Sequence, residues 1–139
     1  MNRRTVRSLI ARLNRDAEKI AGHFGLRYKS VTAERANVKS RYGICYDDGA
    51  IKIRLRHAVS GAPLKYSSLV DTLCHELAHL RHFNHGERFR IFYRQLLEFA
   101  RAEGIYRPGS PGRNPTAVAP PRPKTRTRVP VGPEQLSLF

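Results

Sequence analysis

The sequence contains no tryptophan and only two cysteines, Cys45 and Cys74. The two do not form a C-x-x-C pair, which argues against a structural zinc site built from cysteines. With no signal peptide, two cysteines fit a reducing cytoplasm better than a disulfide scaffold. No apolar run approaches the length of about 18 residues that a membrane span requires. The sequence therefore predicts a cytoplasmic protein that has no membrane partner.

Acidic residues are scarce as well. The chain has 11 aspartates and glutamates against 26 lysines and arginines, which gives a formal net charge of +15. An excess of this size indicates a polyanionic partner, most simply DNA or RNA. We therefore expect association with the nucleoid. The alternative is a basic protein without such a partner.

The composition changes at Arg107. Eight of the nine prolines lie at or after Pro108, and no hydrophobic period continues beyond this point. Residues 1–106 are predicted to form one small domain. Residues 107–133 are predicted to be a disordered, basic, proline-rich linker. Residues 134–139 are treated as a separate terminal peptide.

Hydrophobic periodicity predicts an α+β fold with three helices, a short antiparallel β-hairpin or sheet, and a disordered C-terminal tail. Each helix has an apolar stripe, and Gly25 is a suitable stop for the first. The predicted elements are a helix at 3–24, a short strand at 26–31, hairpin strands at 38–46 and 51–56 around an Asp-Asp-Gly turn, a helix capped by Ser67 or Ser68, and a helix at 87–103.

The predicted hairpin also has a basic face. Its second strand alternates apolar and basic residues, so one face packs on the core and the other is positively charged. A row of positive charge can follow a phosphate backbone, although a charged strand face is more often simply solvated. The residues predicted to contact DNA are Lys39, Arg41, Lys52, Arg54 and Arg56.

The segment His75-Glu76-Leu77-Ala78-His79 contains the candidate metal ligands and general base of the chain. On a helix, residues i and i+4 lie on the same face. Two imidazoles at this spacing can bind one zinc ion, and Glu76 lies beside them to deprotonate a water molecule. This is the H-E-x-x-H arrangement of zinc hydrolases.

A catalytic zinc needs a third protein ligand. On a continuous helix His82 lies about 10 Å beyond His75 and cannot share its ion, while His85 lies about 15 Å away. His85 can bind only if the chain turns back, and Asn84 and Gly86 beside it tolerate the left-handed conformations that end helices. The predicted ligands are His75, His79 and His85, with Glu98 or Glu103 as alternatives for the third position.

Residues 41–89 resemble the SprT-like and YgjP-like metallopeptidase group. In that group an R-W-G-S-C segment and a short strand precede H-E-L-A-H-L, and an N-H-S or H-G-x-x-F/W element follows. The matching segments here are 41–45, 51–55, 75–79 and 84–89, with Tyr42 in place of tryptophan and Ile44 in place of serine. The resemblance implies a small zincin-like domain in which Glu76 is the general base and three histidines bind zinc.

The chain ends with apolar residues on a polar tail, which predicts docking into a hydrophobic groove. This terminal peptide resembles the Q-L-[SD]-L-F motif by which bacterial proteins bind the replicative sliding clamp. The resemblance implies that the clamp is a partner. The residues predicted to contact it are Gln135, Leu136, Ser137, Leu138 and Phe139.

The two resemblances together imply a zinc metalloendopeptidase that the clamp recruits to DNA, where it cleaves bound or crosslinked proteins during repair. Spartan-type proteases are similar, since they combine such a domain with a clamp-binding peptide. The alternative is a non-catalytic adaptor with a structural zinc, against which Glu76 argues because a structural site needs no carboxylate there. A third possibility is a peptidase with ordinary soluble substrates and an incidental tail.

Overall fold

The computed structural model describes residues 2–35, 37–38, 40–109 and the backbone of 135–138. Its three helices and mixed sheet confirm the predicted α+β class. Beyond Gly109, the predicted linker lies outside the described residues. The elements are α1 (Arg3–Phe24), β1 (Ser30–Ala33), β2 (Gly43–Tyr46), β3 (Ala50–Ile53), α2 (Tyr66–His79), α3 (Glu87–Ala102) and β4 (Gln135–Leu138).

The sheet has the strand order β1-β3-β2-β4. β2 and β3 form the predicted antiparallel hairpin, with Gly43 opposite Ile53. β1 runs parallel to β3 on its other side, and Val31 lies opposite Ile51. β4 pairs antiparallel with the outer edge of β2. This last pairing was not predicted from the sequence, because the terminal peptide was treated as a separate docking motif.

The core lies between one face of the sheet and the three helices. α1 has the predicted bounds and ends at Gly25, whose φ of 68° is left-handed. No helix in the described part of the chain is long and apolar enough to cross a membrane. The fully buried apolar side chains include Leu13, Ile20, Ile51, Ile53, Leu69, Leu73, Leu77 and Leu96.

The serine cap predicted for α2 at Ser67 or Ser68 is wrong. The helix begins at Tyr66, and the residue before it, Lys65, caps it without a side-chain hydrogen bond. The Tyr66 hydroxyl instead donates to the carboxylate of Asp16 on α1, at 2.5 Å. A tertiary contact therefore holds the first turn of this helix where a local capping bond was expected.

Asn14 on α1 closes the outer edge of β1. Its side-chain amide donates to the Val31 carbonyl at 2.8 Å, and its carbonyl oxygen accepts from the Val31 amide at 3.2 Å. The Asn14 amide also donates to the carbonyl of Ile10, at 2.9 Å. One side chain thus satisfies the backbone groups that a neighbouring strand would otherwise pair, and it fixes the sheet against α1.

Replacing Asn14 with alanine should lower the free energy of unfolding by about 1–3 kcal/mol, because the Val31 amide and carbonyl lose their partner in a partly buried position. The measurement is urea unfolding at equilibrium. Lys19→Ala is the control, since the Lys19–Glu103 ion pair at 3.4 Å joins exposed side chains and contributes only about 0–1 kcal/mol. Equal effects of the two substitutions would contradict the role assigned to Asn14.

Candidate metal centre

α2 carries His75, Glu76 and His79, and its buried apolar stripe fixes which way each of them points. Leu69, Leu73 and Leu77 are fully buried in the core, which sets the rotation of the helix about its axis. The H-E-x-x-H segment lies in the last turns of α2, which ends at His79.

α2 ends in a tightened turn immediately after His79. Leu80 has φ −65° and ψ −22°, a right-handed conformation, and the Arg81 and His82 amides donate to the Ala78 carbonyl at 3.1 and 3.0 Å. The Arg81 guanidinium donates to the Phe24 carbonyl at the end of α1, at 2.6 Å. Regular helix therefore ends at His79, and the turn that follows it is held against α1.

The left-handed conformation that Asn84 and Gly86 would tolerate is not used. No non-glycine residue in the described segments has a positive φ, so Asn84 is not left-handed. Gly86 has φ −79° and caps the start of α3. Regular helix already ends at His79, five residues before Asn84, and Leu80 after it is right-handed. The chain therefore needs no left-handed residue to return His85.

The turn brings His85 next to the two helical histidines. One ring nitrogen from each of His75, His79 and His85 lies within 4.8 Å of the others, and the Nε2 atoms of His79 and His85 are 2.9 Å apart. Ligand atoms about 2.0–2.1 Å from one tetrahedral ion are separated by roughly 3.3 Å. The three imidazoles thus fit a single divalent transition metal.

The two alternative third ligands lie elsewhere. Glu98 is exposed on α3, and Glu103 lies after that helix and pairs with Lys19 at 3.4 Å. Neither belongs to the histidine cluster. Among the described residues, His75, His79 and His85 are the group of side chains placed to bind a metal ion.

Phe89, from the first turn of α3, packs against all three imidazoles. Its ring centroid is 4.7 Å from that of His75, 4.4 Å from that of His79 and 5.0 Å from that of His85. The Tyr93 ring, one turn further along α3, lies 5.1 Å from His75. This aromatic wall restricts the orientations of the histidine rings.

The backbone of His82 orients His79. Its carbonyl oxygen lies 3.1 Å from Nδ1 of His79, so Nδ1 is the donor and the lone pair of Nε2 faces His85. Burial, followed by the neighbouring His85, lowers the pKa of His79 to about 3. His79 is therefore neutral, as a metal ligand must be. His82 was excluded as a ligand on distance, and the role of its backbone carbonyl leaves no signal in the sequence.

Glu76 is fully buried beside strand β2. A Cβ atom at Gly43 would lie 3.1 Å from Oε2 of Glu76 and 2.8 Å from Cγ2 of Thr72. Only glycine allows the strand to pass this close to the helix. Cys45 lies two residues after Gly43, on the same face of β2. Burial together with the Glu76 carboxylate raises the pKa of its thiol.

The residues predicted to contact DNA lie in different environments. Arg41 pairs with the buried carboxylate of Glu34 at 2.8 Å. The Arg54 side chain is buried and its guanidinium lies over the Tyr42 ring, 4.5 Å from the centroid. Lys39 lies outside the described residues. The half-exposed members of the set are Lys52, Arg56 and Arg41, and Arg41 already has an acidic partner.

Comparisons with known proteins support the fold and the family of the domain. No curated protein matches the sequence. Wss1 from Saccharomyces cerevisiae has a similar solved structure, with a TM-score of 0.67 and 17% identity over 74% of this chain and 84% of that chain. Wss1 from S. pombe is also similar, with a TM-score of 0.57 and 25% identity over 70% and 80% of the two chains. The profile of the YgjP-like metallopeptidase domain matches residues 1–103, which include the whole histidine cluster, so the chain belongs to this family of metallopeptidase domains.

Proposed function

We propose that this chain is a zinc-dependent metalloendopeptidase that the sliding clamp recruits to DNA, where it cleaves bound or crosslinked proteins. The observation that carries the peptidase assignment is the cluster of His75, His79 and His85, whose nitrogens lie within 4.8 Å of one another. Glu76 is next to the first of them and is fully buried against β2. Three neutral ligands with a carboxylate beside them suit a catalytic site better than a structural one.

Zinc bound by the three imidazoles would supply Lewis acidity and lower the pKa of a water molecule toward neutrality. Glu76 accepts the proton of the attacking water and then delivers it to the leaving amine nitrogen. Gly43 leaves room for β2 to pass beside the Glu76 carboxylate. The His82 carbonyl holds the ring of His79 through Nδ1, so the ligand nitrogen needs no reorientation when the metal binds.

The charge distribution supports a nucleic-acid location for the substrate. The chain carries a net charge of +15. Arg56 lines a cleft of about 310 Å³ together with Arg35, His57 and the ion-paired Glu34. Basic side chains exposed along α1 add further positive surface. These are Arg3, Arg4, Arg7, Arg12, Arg15 and Lys19.

The terminal peptide supports recruitment by the clamp. Gln135 to Phe139 agree with the clamp-binding motif at all five positions. Attachment to the clamp would raise the local concentration of the peptidase at replicating DNA. Location would then provide selectivity that a small domain with few specificity pockets lacks.

Glu76→Gln should slow cleavage of a DNA-crosslinked protein about 10²- to 10⁴-fold, because the proton acceptor is lost while the shape of the side chain is kept. The assay compares crosslinked substrate with the same protein free of DNA, and it records the zinc content of each variant. Glu98→Gln, the same chemical change at an exposed position on α3, is the control and should cleave normally. Undiminished cleavage by Glu76→Gln would refute the peptidase assignment.

His85→Ala should weaken zinc binding by at least about 100-fold, since it removes a ligand that the chain reversal delivers. His82→Ala is the matched control three residues away. It keeps the backbone carbonyl that bonds to His79, so its zinc affinity should stay within about threefold of wild type. Competition with a chromogenic chelator measures both constants, and comparable losses in the two variants would contradict the ligand assignment.

Deleting residues 135–139 should reduce the affinity for purified bacterial sliding clamp by at least about 100-fold, because the peptide supplies the apolar anchors of the contact. Deleting residues 116–120, an equally long stretch that also carries no charge, should leave clamp binding unchanged. Surface plasmon resonance on immobilised clamp provides the measurement. Binding that survives loss of the terminal peptide would rule out the docking assignment.

A further inference from the structure

The first residue of β2 lies directly beside the candidate general base. Gly43, the first residue of β2, is so close to α2 that a Cβ atom would lie 3.1 Å from Oε2 of Glu76. The inner edge of β2 is paired with β3. A polypeptide added to the outer edge would therefore lie about 4.8 Å, one strand spacing, from the strand that contacts Glu76.

An exposed strand edge presents backbone donors and acceptors that an extended peptide can pair with, whatever its side chains. The opposite edge of this sheet, at β1, is already closed by Asn14, which bonds to both backbone groups of Val31. In the described part of the chain, the outer edge of β2 is therefore the edge at which a peptide can be added to the strand that contacts Glu76.

The chain's own segment Gln135–Leu138 occupies that edge as β4. It runs antiparallel to β2, with Leu138 opposite Ile44 and Ser137 opposite Cys45. This register puts the Leu138 end of β4 next to Gly43, at the Glu76 end of the strand. The register shifts between Cys45 and Tyr46, so the pairing is short and irregular. A short irregular pairing makes few backbone bonds and can exchange with another peptide.

We propose that Gln135–Leu138 is an internal competitor of the substrate polypeptide and that the clamp relieves this inhibition. While the segment is docked, it pairs the backbone groups of β2 that a substrate would use beside Glu76. The same residues form the proposed clamp-binding peptide, and one peptide cannot lie on β2 and on the clamp at once. This inference rests on the proposed function.

The two competitions are linked quantitatively. If the segment is docked about nine-tenths of the time, the apparent affinity for substrate is roughly tenfold lower than that of the open form. The apparent affinity of the clamp for the tail is lowered by the same factor. Clamp binding would thus open the peptidase at the place where its substrates are found, and the free protein would be restrained.

Amide hydrogen exchange in residues 43–46 tests the docking without requiring activity. The full-length Glu76→Gln protein is compared with the same protein lacking residues 135–139 and with the control lacking residues 116–120. We expect faster exchange of the outward-facing β2 amides in the first deletion only. Added clamp should produce the same acceleration in the full-length protein. Exchange that is equal in all three proteins would overturn the inference.

A synthetic peptide covering residues 133–139 provides a second measurement that does not depend on the deletion folding identically. Added to the protein that lacks residues 135–139, it should slow exchange in residues 43–46 and reduce peptide cleavage in proportion to its occupancy. A peptide of the same length with proline in place of Leu136 and Leu138 should do neither, since proline lacks the backbone donor. No effect of the native peptide would contradict docking on β2.

Cleavage of an unstructured peptide substrate separates this inference from the proposed function. Deletion of residues 135–139 should raise kcat/KM roughly tenfold, and added clamp should stimulate the full-length enzyme but not the deletion. Equal rates with unchanged exchange would overturn the inference and leave the peptidase assignment intact. Tail-dependent exchange without cleavage by any variant would support docking and overturn the peptidase assignment.

Discussion

The reversal of the chain between His79 and His85 is the constraint on which the centre depends. Two histidines on one helical face cannot complete a three-ligand site alone, and a continuing helix carries the next histidines away from the ion. The chain turns at once because α2 ends at His79 and the Arg81 side chain bonds to the Phe24 carbonyl on α1. α3 can then begin at Glu87 and place Phe89 against all three imidazoles. All three helices therefore contribute to one small site.

The second requirement is the close approach of β2 to α2. It depends on the absence of a side chain at Gly43, where any Cβ atom would meet Thr72 and Glu76. The approach places the buried carboxylate at one end of a strand whose outer edge is paired with the short strand β4. Asn14 meanwhile closes the opposite edge of the sheet through Val31. The two edges of the sheet thus have different roles. The β1 edge is structural, and the β2 edge belongs to the strand that contacts Glu76.

The sequence predicted those features that have a local period or spacing. α1 and α3, the hairpin, and the approach of His75 and His79 on one helix face all follow from periods of 3.6 and 2 residues. Features that depend on tertiary contacts were missed. Tyr66 starts α2 through Asp16 on another helix, and the roles of the His82 carbonyl and of the β2 edge involve backbone groups that every residue possesses. The exposure of the basic side chains on the hairpin was also hard to predict. Arg41, for example, pairs with the buried carboxylate of Glu34, which lies seven residues away on another segment.

Cys45 lies on the strand face that meets α2, and burial together with the carboxylate of Glu76 raises the pKa of its thiol. Burial does the same for Cys74. A protonated, buried thiol is a poor nucleophile and a poor metal ligand. Neither sulfur therefore competes with the imidazoles for the ion, and neither is readily oxidised to a sulfenic acid by peroxide. The strand can thus place sulfur near the Glu76 carboxylate without presenting a reactive thiolate there.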